Sequence, residues 1–182
     1  KFIKIPDYIS WTTILLPENQ PGNFGGLAGL ASDFGVNINY AIQENPNGIA
    51  EAFIIGEKFI GADDVCLVLG DNIFWGDGLH QKLMYARDDL KGNVLFSYNV
   101  DNPKEFATIN KTSTGIKIIE KPKNNKNKTV ATGLYFYDNS VINFAKKIKP
   151  SSRGELEITT LNNIYAKNNL TKVIQLGRGF AW

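Results

Sequence analysis

Across residues 36–100 the apolar positions change period repeatedly, and that alternation limits the folds open to this chain more than any other feature. Residues 36–42 alternate apolar and polar side chains as a strand does, and 43–48 read as a loop. Ile49, Ala52, Phe53, Gly56 and Phe59 or Ile60 then recur at helical spacing, which predicts a helix with one buried face. The apolar run 65–69 predicts a buried strand, followed by a helix near 79–89 and a strand over 94–98 extended to Val100. Strands alternating with helices predict a largely parallel sheet covered on both faces. Residues 12–16, closed by Pro17, predict an earlier strand, and the small residues of 22–29 a loop or weak helix.

After Asp101 the rhythm changes. Segments 106–109, 116–120 and 130–137 are strand-like with short connections, so antiparallel pairing is expected there. Helices near 140–148 and 157–168 and a short strand at 172–175 follow. Nothing along the chain reads as a linker or repeat, so we expect a single domain over 1–182.

Composition narrows the chemistry. A formal net charge of +2, with Lys and Arg spread along the chain, gives neither a nucleic-acid footprint nor a polybasic membrane anchor. Cys66 is the only cysteine, so an internal disulfide is excluded, and its position inside an apolar strand predicts a packing role. His80 is the only histidine, which rules out a multi-His centre, so any metal acting here needs oxygen ligands. No apolar run approaches the ~20 residues of a membrane span, and the opening residues lack a signal-peptide pattern, so we expect a cytoplasmic protein.

The strand 65–69 stops at Gly70 and delivers a carboxylate, Asp71. In open α/β sheets the ligand crevice lies outside the carboxyl ends of the strands, where an acid can hold a metal and phosphate. Other polar groups stand at strand ends or in loops beside them: Gln43, Gly48, Glu120 with Lys121, Gly133, and the run from Arg153 to Glu157. Each has an ordinary reading: Gln43 as a loop amide, Glu120 and Lys121 as a surface ion pair, Arg153 with Glu155 and Glu157 as the start of a helix. Trp75 and Trp182 read as packing residues, and of Tyr135 and Tyr137 one is expected in the core. Four lysines in residues 121–128 read as a solvated loop, with Lys121 alone able to turn toward a site.

The order of these pieces resembles the sugar-nucleotidyltransferase family. The resemblance rests on FGV (34–36), QENPNG (43–48), AFIIG (52–56), LVLGDNIF (67–74), EKP (120–122), TGLYFYD (132–138), RGELEIT (153–159) and GRGFAW (177–182). It implies an α/β, Rossmann-like three-layer fold whose mostly parallel mixed sheet is flanked by helices. It implies transfer of a thymidylyl group from dTTP to glucose 1-phosphate, giving dTDP-glucose and pyrophosphate for dTDP-sugar synthesis. A UTP-dependent relative, or a fragment that only binds sugar phosphate or nucleotide, is the alternative.

Residue by residue, the resemblance implies that Asp71 binds Mg²⁺ and that Gln43 and the Gly48 backbone read the base. Glu120 and the backbone around Ala131 and Gly133 would hold the glucose hydroxyls, with Tyr135 lining that pocket. Lys121 and Arg153 would grip the sugar phosphate, and Leu69 and Glu155 complete the substrate-binding set. Family members are commonly homo-oligomers, so a tetramer is expected. Departures are also expected. The family's first strand and glycine-rich phosphate loop have no counterpart in residues 1–11, and Gly25 and Gly26 are a poor substitute. Two residues are missing after Phe106, and the family's second metal-binding aspartate lies past the equivalent of Trp182. The economical expectation is a sequence joined across omitted residues.

Overall fold

The computed structural model describes residues 2–4, 11–17, 37–88, 90–123 and 127–182, the first two segments as backbone. Its centre is a sheet of nine strands. Strands β1 (Phe2–Lys4), β2 (Trp11–Pro17), β3 (Asn37–Gln43), β4 (Val65–Val68), β6 (Asn93–Asn99), β9 (Thr129–Tyr137) and β10 (Thr171–Gln175) lie in the order β10-β6-β9-β4-β1-β2-β3. The hairpin of β7 (Thr108–Thr112) and β8 (Gly115–Ile119) joins the sheet through the pairing of β7 with β9.

The mixed sheet follows from the pairings. Strands β2 and β3 are parallel, as are β6 and β10. Strand β9 is antiparallel to both β4 and β6, and β1 is antiparallel to both β2 and β4. Along the path, β2, β3, β4, β6 and β10 therefore point one way and β1 and β9 the other: the sheet is mixed and most of its strands share a direction, but because β1 and β9 lie between them only the β2–β3 and β6–β10 neighbours are parallel, fewer than the alternation predicts. Strand β1 was not legible in the sequence. The small-residue segment 22–29 lies outside the described residues.

Around β4, β6 and β9 both faces of the sheet are buried, and successive residues of one strand supply opposite cores. Leu67, Leu95, Tyr135 and Tyr137 pack on one side with Phe53, Leu161 and Tyr165. Cys66, Val94, Phe96, Leu134 and Phe136 pack on the other with Ala86. Helices α1 (Glu51–Ile55), α4 (Val141–Ala145) and α5 (Ile158–Lys167) supply the first core, and α3 (Leu79–Asp88) the second, which makes three layers. Phe53 is fully buried with its ring edge-on to Tyr137 at 5.1 Å, a contact whose truncation to Ala costs roughly 3–5 kcal/mol.

Three expectations need correction. The helical repeat from Ile49 to Ile60 is divided at Gly56, which ends α1 and precedes α2 (Glu57–Ile60), because glycine weakens a helix interior by about 1 kcal/mol. Tyr135 and Tyr137 are both in the core, stacked at 6.2 Å, since residues two apart on a strand share a face. Trp75 is 79% exposed rather than packed. It belongs to a two-stranded ribbon, β5 (Trp75–Gly76) with β11 (Phe180–Ala181), whose strands are too short to leave a period in the sequence.

Candidate functional site

Strand β4 ends at Val68, and the chain turns through Leu69 and Gly70 to Asp71, whose side chain is exposed. Two bonds clamp that turn to β9 and to itself: the Leu69 N–H donates to the Gly133 carbonyl at 2.8 Å, and the Asn72 N–H to the Leu69 carbonyl at 3.1 Å. The Asn72 side chain then connects three parts of the site. Its Nδ2 donates to Asp71 Oδ1 at 2.7 Å, while its Oδ1 accepts from the Gly133 N–H at 2.9 Å and from the indole of Trp182. The amide packs directly over Gly133, where a Cβ would stand 2.6 Å from Asn72 Oδ1 and force that side chain to move.

A second group gathers where β8 ends. Glu120 is half-buried and accepts a short hydrogen bond from Thr159 Oγ1, on the first turn of α5. Burial first, and the charge of Glu120 second, push the Tyr135 phenol well above its ordinary range, so that ring stays neutral. Lys121 follows with φ of 36°, a left-handed backbone that a lysine adopts at a cost and that turns the chain sharply after Glu120. Its side chain is exposed.

Arg153, also exposed, is held by carboxylates. Its Nη2 lies 2.8 and 2.9 Å from the two oxygens of Glu157, its Nε donates to Glu157 Oε1 at 3.1 Å, and Glu155 stands 3.6 Å away. The hydrogen bonds and charge of Glu157, then the charge of Glu155, raise the guanidinium pKa further. Ser151 Oγ also donates to Glu157, at 2.8 Å, so that carboxylate is ordered from two directions.

The third group is the 43–48 loop. Gln43 Nε2 donates to the Gly48 carbonyl at 3.1 Å and to Glu51 Oε2 at 2.7 Å, and Asn47 holds the other Glu51 oxygen at 2.8 Å. Gly48 has φ of +100°, and a Cβ on it would meet the Leu156 backbone at 2.6 Å. The Leu156 N–H donates to the Asn47 carbonyl, and the Ala50 N–H to the Leu156 carbonyl. The Gln43 loop is thereby docked on the Arg153 loop.

The expected site residues thus fall into groups: Leu69, Asp71 and Gly133; Glu120 with Tyr135, Arg153 and Glu155; Gln43 with Gly48; and Lys121 in the turn that follows Glu120. Ala131 lies on β9 beside them, buried. Its N–H already donates to the Ala107 carbonyl at 2.8 Å, and that of Gly133 to Asn72, so neither backbone donor faces an open pocket here. Asn72, Thr159 and Glu157 are the residues whose role the sequence did not disclose. Only the four-residue spacing of Arg153 and Glu157 carried a signal for one of them.

Among the described residues no cluster of three or more His, Cys, Asp or Glu side chains could by itself enclose a metal ion. A single carboxylate could hold a hard cation only together with ligands from outside the described residues. Asp71 is the exposed candidate for such a carboxylate, with one oxygen ordered by a neutral amide.

The chain belongs to the nucleotidyl transferase family: the sequence model of that description matches residues 9–182. Among curated proteins, the glucose-1-phosphate thymidylyltransferase of Neisseria meningitidis serogroup A is 50% identical over 171 residues, or 93% of this chain. The protein of that name from Mycolicibacterium smegmatis is 44% identical over the same share. In both cases the chain spans 59% of the relative's length. Among solved structures, a Bacillus anthracis protein provisionally named glucose-1-phosphate thymidylyltransferase, in complex with a sucrose, superposes with a TM-score of 0.80 at 34% identity. That match covers 92% of this chain and 68% of the other. A UDP-glucose pyrophosphorylase complexed with UDP-glucose shares the fold at a TM-score of 0.69 and 16% identity, over 92% of this chain and 73% of its own.

Proposed function

We propose that this protein transfers a thymidylyl group from dTTP to glucose 1-phosphate, forming dTDP-glucose and releasing pyrophosphate. What carries the reading is the identity of 44–50% to glucose-1-phosphate thymidylyltransferases, in a chain with an exposed, amide-ordered carboxylate, Asp71, and the exposed cations Lys121 and Arg153.

The sugar phosphate oxygen attacks the α-phosphorus of dTTP in line, and the bond to the pyrophosphate leaving group breaks. The nucleophile is already anionic, so no general base is required. The residues act by placement and charge. Arg153 offers its planar fork to the sugar phosphate and must exchange Glu157 for it, while Lys121 supplies a compact charge nearby. Glu120 accepts from sugar hydroxyls with its orientation set by Thr159. Gln43 and the Gly48 backbone read the base, which requires Gln43 to release Glu51. Mg²⁺ held by Asp71 would supply charge neutralisation on the phosphates.

We place the protein in the cytoplasm, in keeping with its nucleotide and sugar phosphate substrates; no described helix is long and apolar enough to cross a membrane. Assembly as a homotetramer is supported by family resemblance.

Pyrophosphate release from dTTP plus glucose 1-phosphate with Mg²⁺, beside a UTP reaction, tests the reading. Faster turnover with dTTP is expected. Faster turnover with UTP would reassign the base, and ligand-induced stabilisation without turnover with either triphosphate would reduce the function to binding.

A further inference from the structure

We propose that Asn163 is a positioning residue for Glu120, setting where that carboxylate meets the sugar by docking its own carboxamide on the β8 backbone. The inference rests on reading Glu120 as the group that accepts from sugar hydroxyls. Among the described strands β8 pairs with β7 alone, which leaves its other edge without a strand neighbour. At Ile118, two residues before Glu120, a side chain of α5 takes the place of that neighbour. The Ile118 N–H donates to Asn163 Oδ1 at 3.0 Å, and Asn163 Nδ2 donates to the Ile118 carbonyl at 2.8 Å. A carboxamide offers an acceptor oxygen and a donor NH₂, the same complement that a facing strand would present. The Nδ2 group also donates to the Thr159 carbonyl at 2.9 Å, one turn back along the helix. With one partner that can only donate and two that can only accept, the network decides which end of the amide is which.

Glu120 is carried by the end of β8, while the hydroxyl that orients it, Thr159 Oγ1, is carried by the first turn of α5. Its direction therefore depends on how strand and helix stand relative to one another. Asn163 ties the two at the right places, with two bonds to the strand just before Glu120 and one to the carbonyl of Thr159 itself. Ile118 is buried, so water is a poor substitute for the amide on its peptide groups. All three bonds go to backbone, and the side chain is neutral, so Asn163 acts on Glu120 by placement and not by charge. The turn it fixes follows Glu157, the carboxylate that holds Arg153, so the sugar and phosphate grips share one support.

The test compares wild type with Asn163→Ala and Asn163→Asp. The second matches the amide in size and keeps the acceptor for the Ile118 N–H, but sets an oxygen against two carbonyls; either variant suffices for the comparison. Calorimetry gives Kd for dTDP-glucose and for dTDP, the same nucleotide without the sugar, at a temperature where circular dichroism shows each variant folded. Both variants are expected to weaken dTDP-glucose by about 3- to 10-fold, the worth of one impaired hydrogen bond, and to leave dTDP within about twofold of wild type. In a Glu120→Gln background the change at 163 is expected to shift dTDP-glucose by less than about twofold, because its route to the sugar is gone. Equal weakening toward both ligands overturns the inference, as a purely structural amide would give, and so does no change toward either. An effect of Asn163 that survives Glu120→Gln in full also overturns it. If Glu120→Gln alone leaves dTDP-glucose binding untouched, the sugar-binding reading of Glu120 fails first and the inference falls with it. Wild-type protein that prefers dTDP-glucose to dTDP but does not turn over would count against the proposed function, and the calorimetric comparison would still decide the role of Asn163.

Discussion

The rim of the candidate site and the aromatic core beneath it both contain polar groups held by named partners, yet they are held for opposite ends. On the rim, Asp71 and Arg153 are exposed, one held by a neutral amide and the other by two carboxylates. In the core, Tyr137 donates at 2.6 Å to Asn162, which also accepts from Asn93 at 2.9 Å, and Tyr165 donates to Asp138 at 3.2 Å. Those phenols are kept neutral. Changes on the rim should therefore alter binding and rate with little effect on stability, and changes of charge in the core should unfold the protein.

The largest effect expected is alkaline unfolding. Burial raises the Cys66 thiol from an ordinary 9.0 to about 12, and it lifts Tyr135, Tyr137 and Tyr165 well above an ordinary 10.0. Between the ordinary and the folded value the unfolded chain has lost the proton and the folded chain has not, so stability is full below the ordinary value and falls as pH rises. Each group therefore erodes stability as pH rises through its window, and the four act in the same direction against a net stability that is small in any ordinary protein. Phenolate absorbance from these tyrosines is expected to appear only with loss of circular dichroism above about pH 10. Smooth titration near the ordinary value in a folded protein would show that the core is wetter than the described packing.

On the rim, Asp71→Asn is expected to lower kcat by roughly 10²- to 10³-fold while the melting temperature holds, because the side chain is exposed. A parallel loss of stability would erase the distinction between the two regions. A smaller effect separates the partners of Arg153. Arg153→Ala should raise KM for glucose 1-phosphate by about tenfold or more, as expected for a charge-assisted hydrogen bond of ~1.5–3 kcal/mol. Glu157→Gln should lower it a few-fold, since Glu157 competes for the same guanidinium. Equal effects of the two substitutions would mean that the ion pair is maintained in the bound state.

Much of this division could be read from the chain. The run ending in Gly70 and Asp71 announces a strand that presents an acid, because apolar run, breaker and carboxylate are adjacent in sequence. The switch to antiparallel pairing after Asp101 was legible in the short spacing of β7, β8 and β9. Asn72 was not, since its meaning depends on Gly133 and Trp182, 61 and 110 positions away, and a lone amide carries no period. The engagement of Gln43 by Glu51 was hidden for a related reason: it depends on a loop conformation held by Gly48 against Leu156. The short ribbon of Trp75 and Ala181 and the early strand β1 escaped because two or three residues are too few for a pattern.

The smallest effect sharpens the comparison from inside the core. Ser97 is fully buried on β6, and among the described residues its hydroxyl has no hydrogen-bond partner, although its carbonyl accepts from the Leu176 N–H at 2.8 Å. An unsatisfied buried hydroxyl costs ~1–3 kcal/mol, while the methyl of alanine occupies nearly the same space. Ser97→Ala is therefore expected to stabilise by about 1 kcal/mol, read as a rise in melting temperature of roughly 2–4 °C for a chain of this size. Loss of stability instead would mean that the hydroxyl is served from the adjoining cavity of about 410 Å³, where Lys111, Thr129 and Gln175 join Ser97 in the lining and a water can find several partners. In that event the core would be like the rim in having every polar atom answered, and the two regions would differ only in whether the answering group can be exchanged for a ligand.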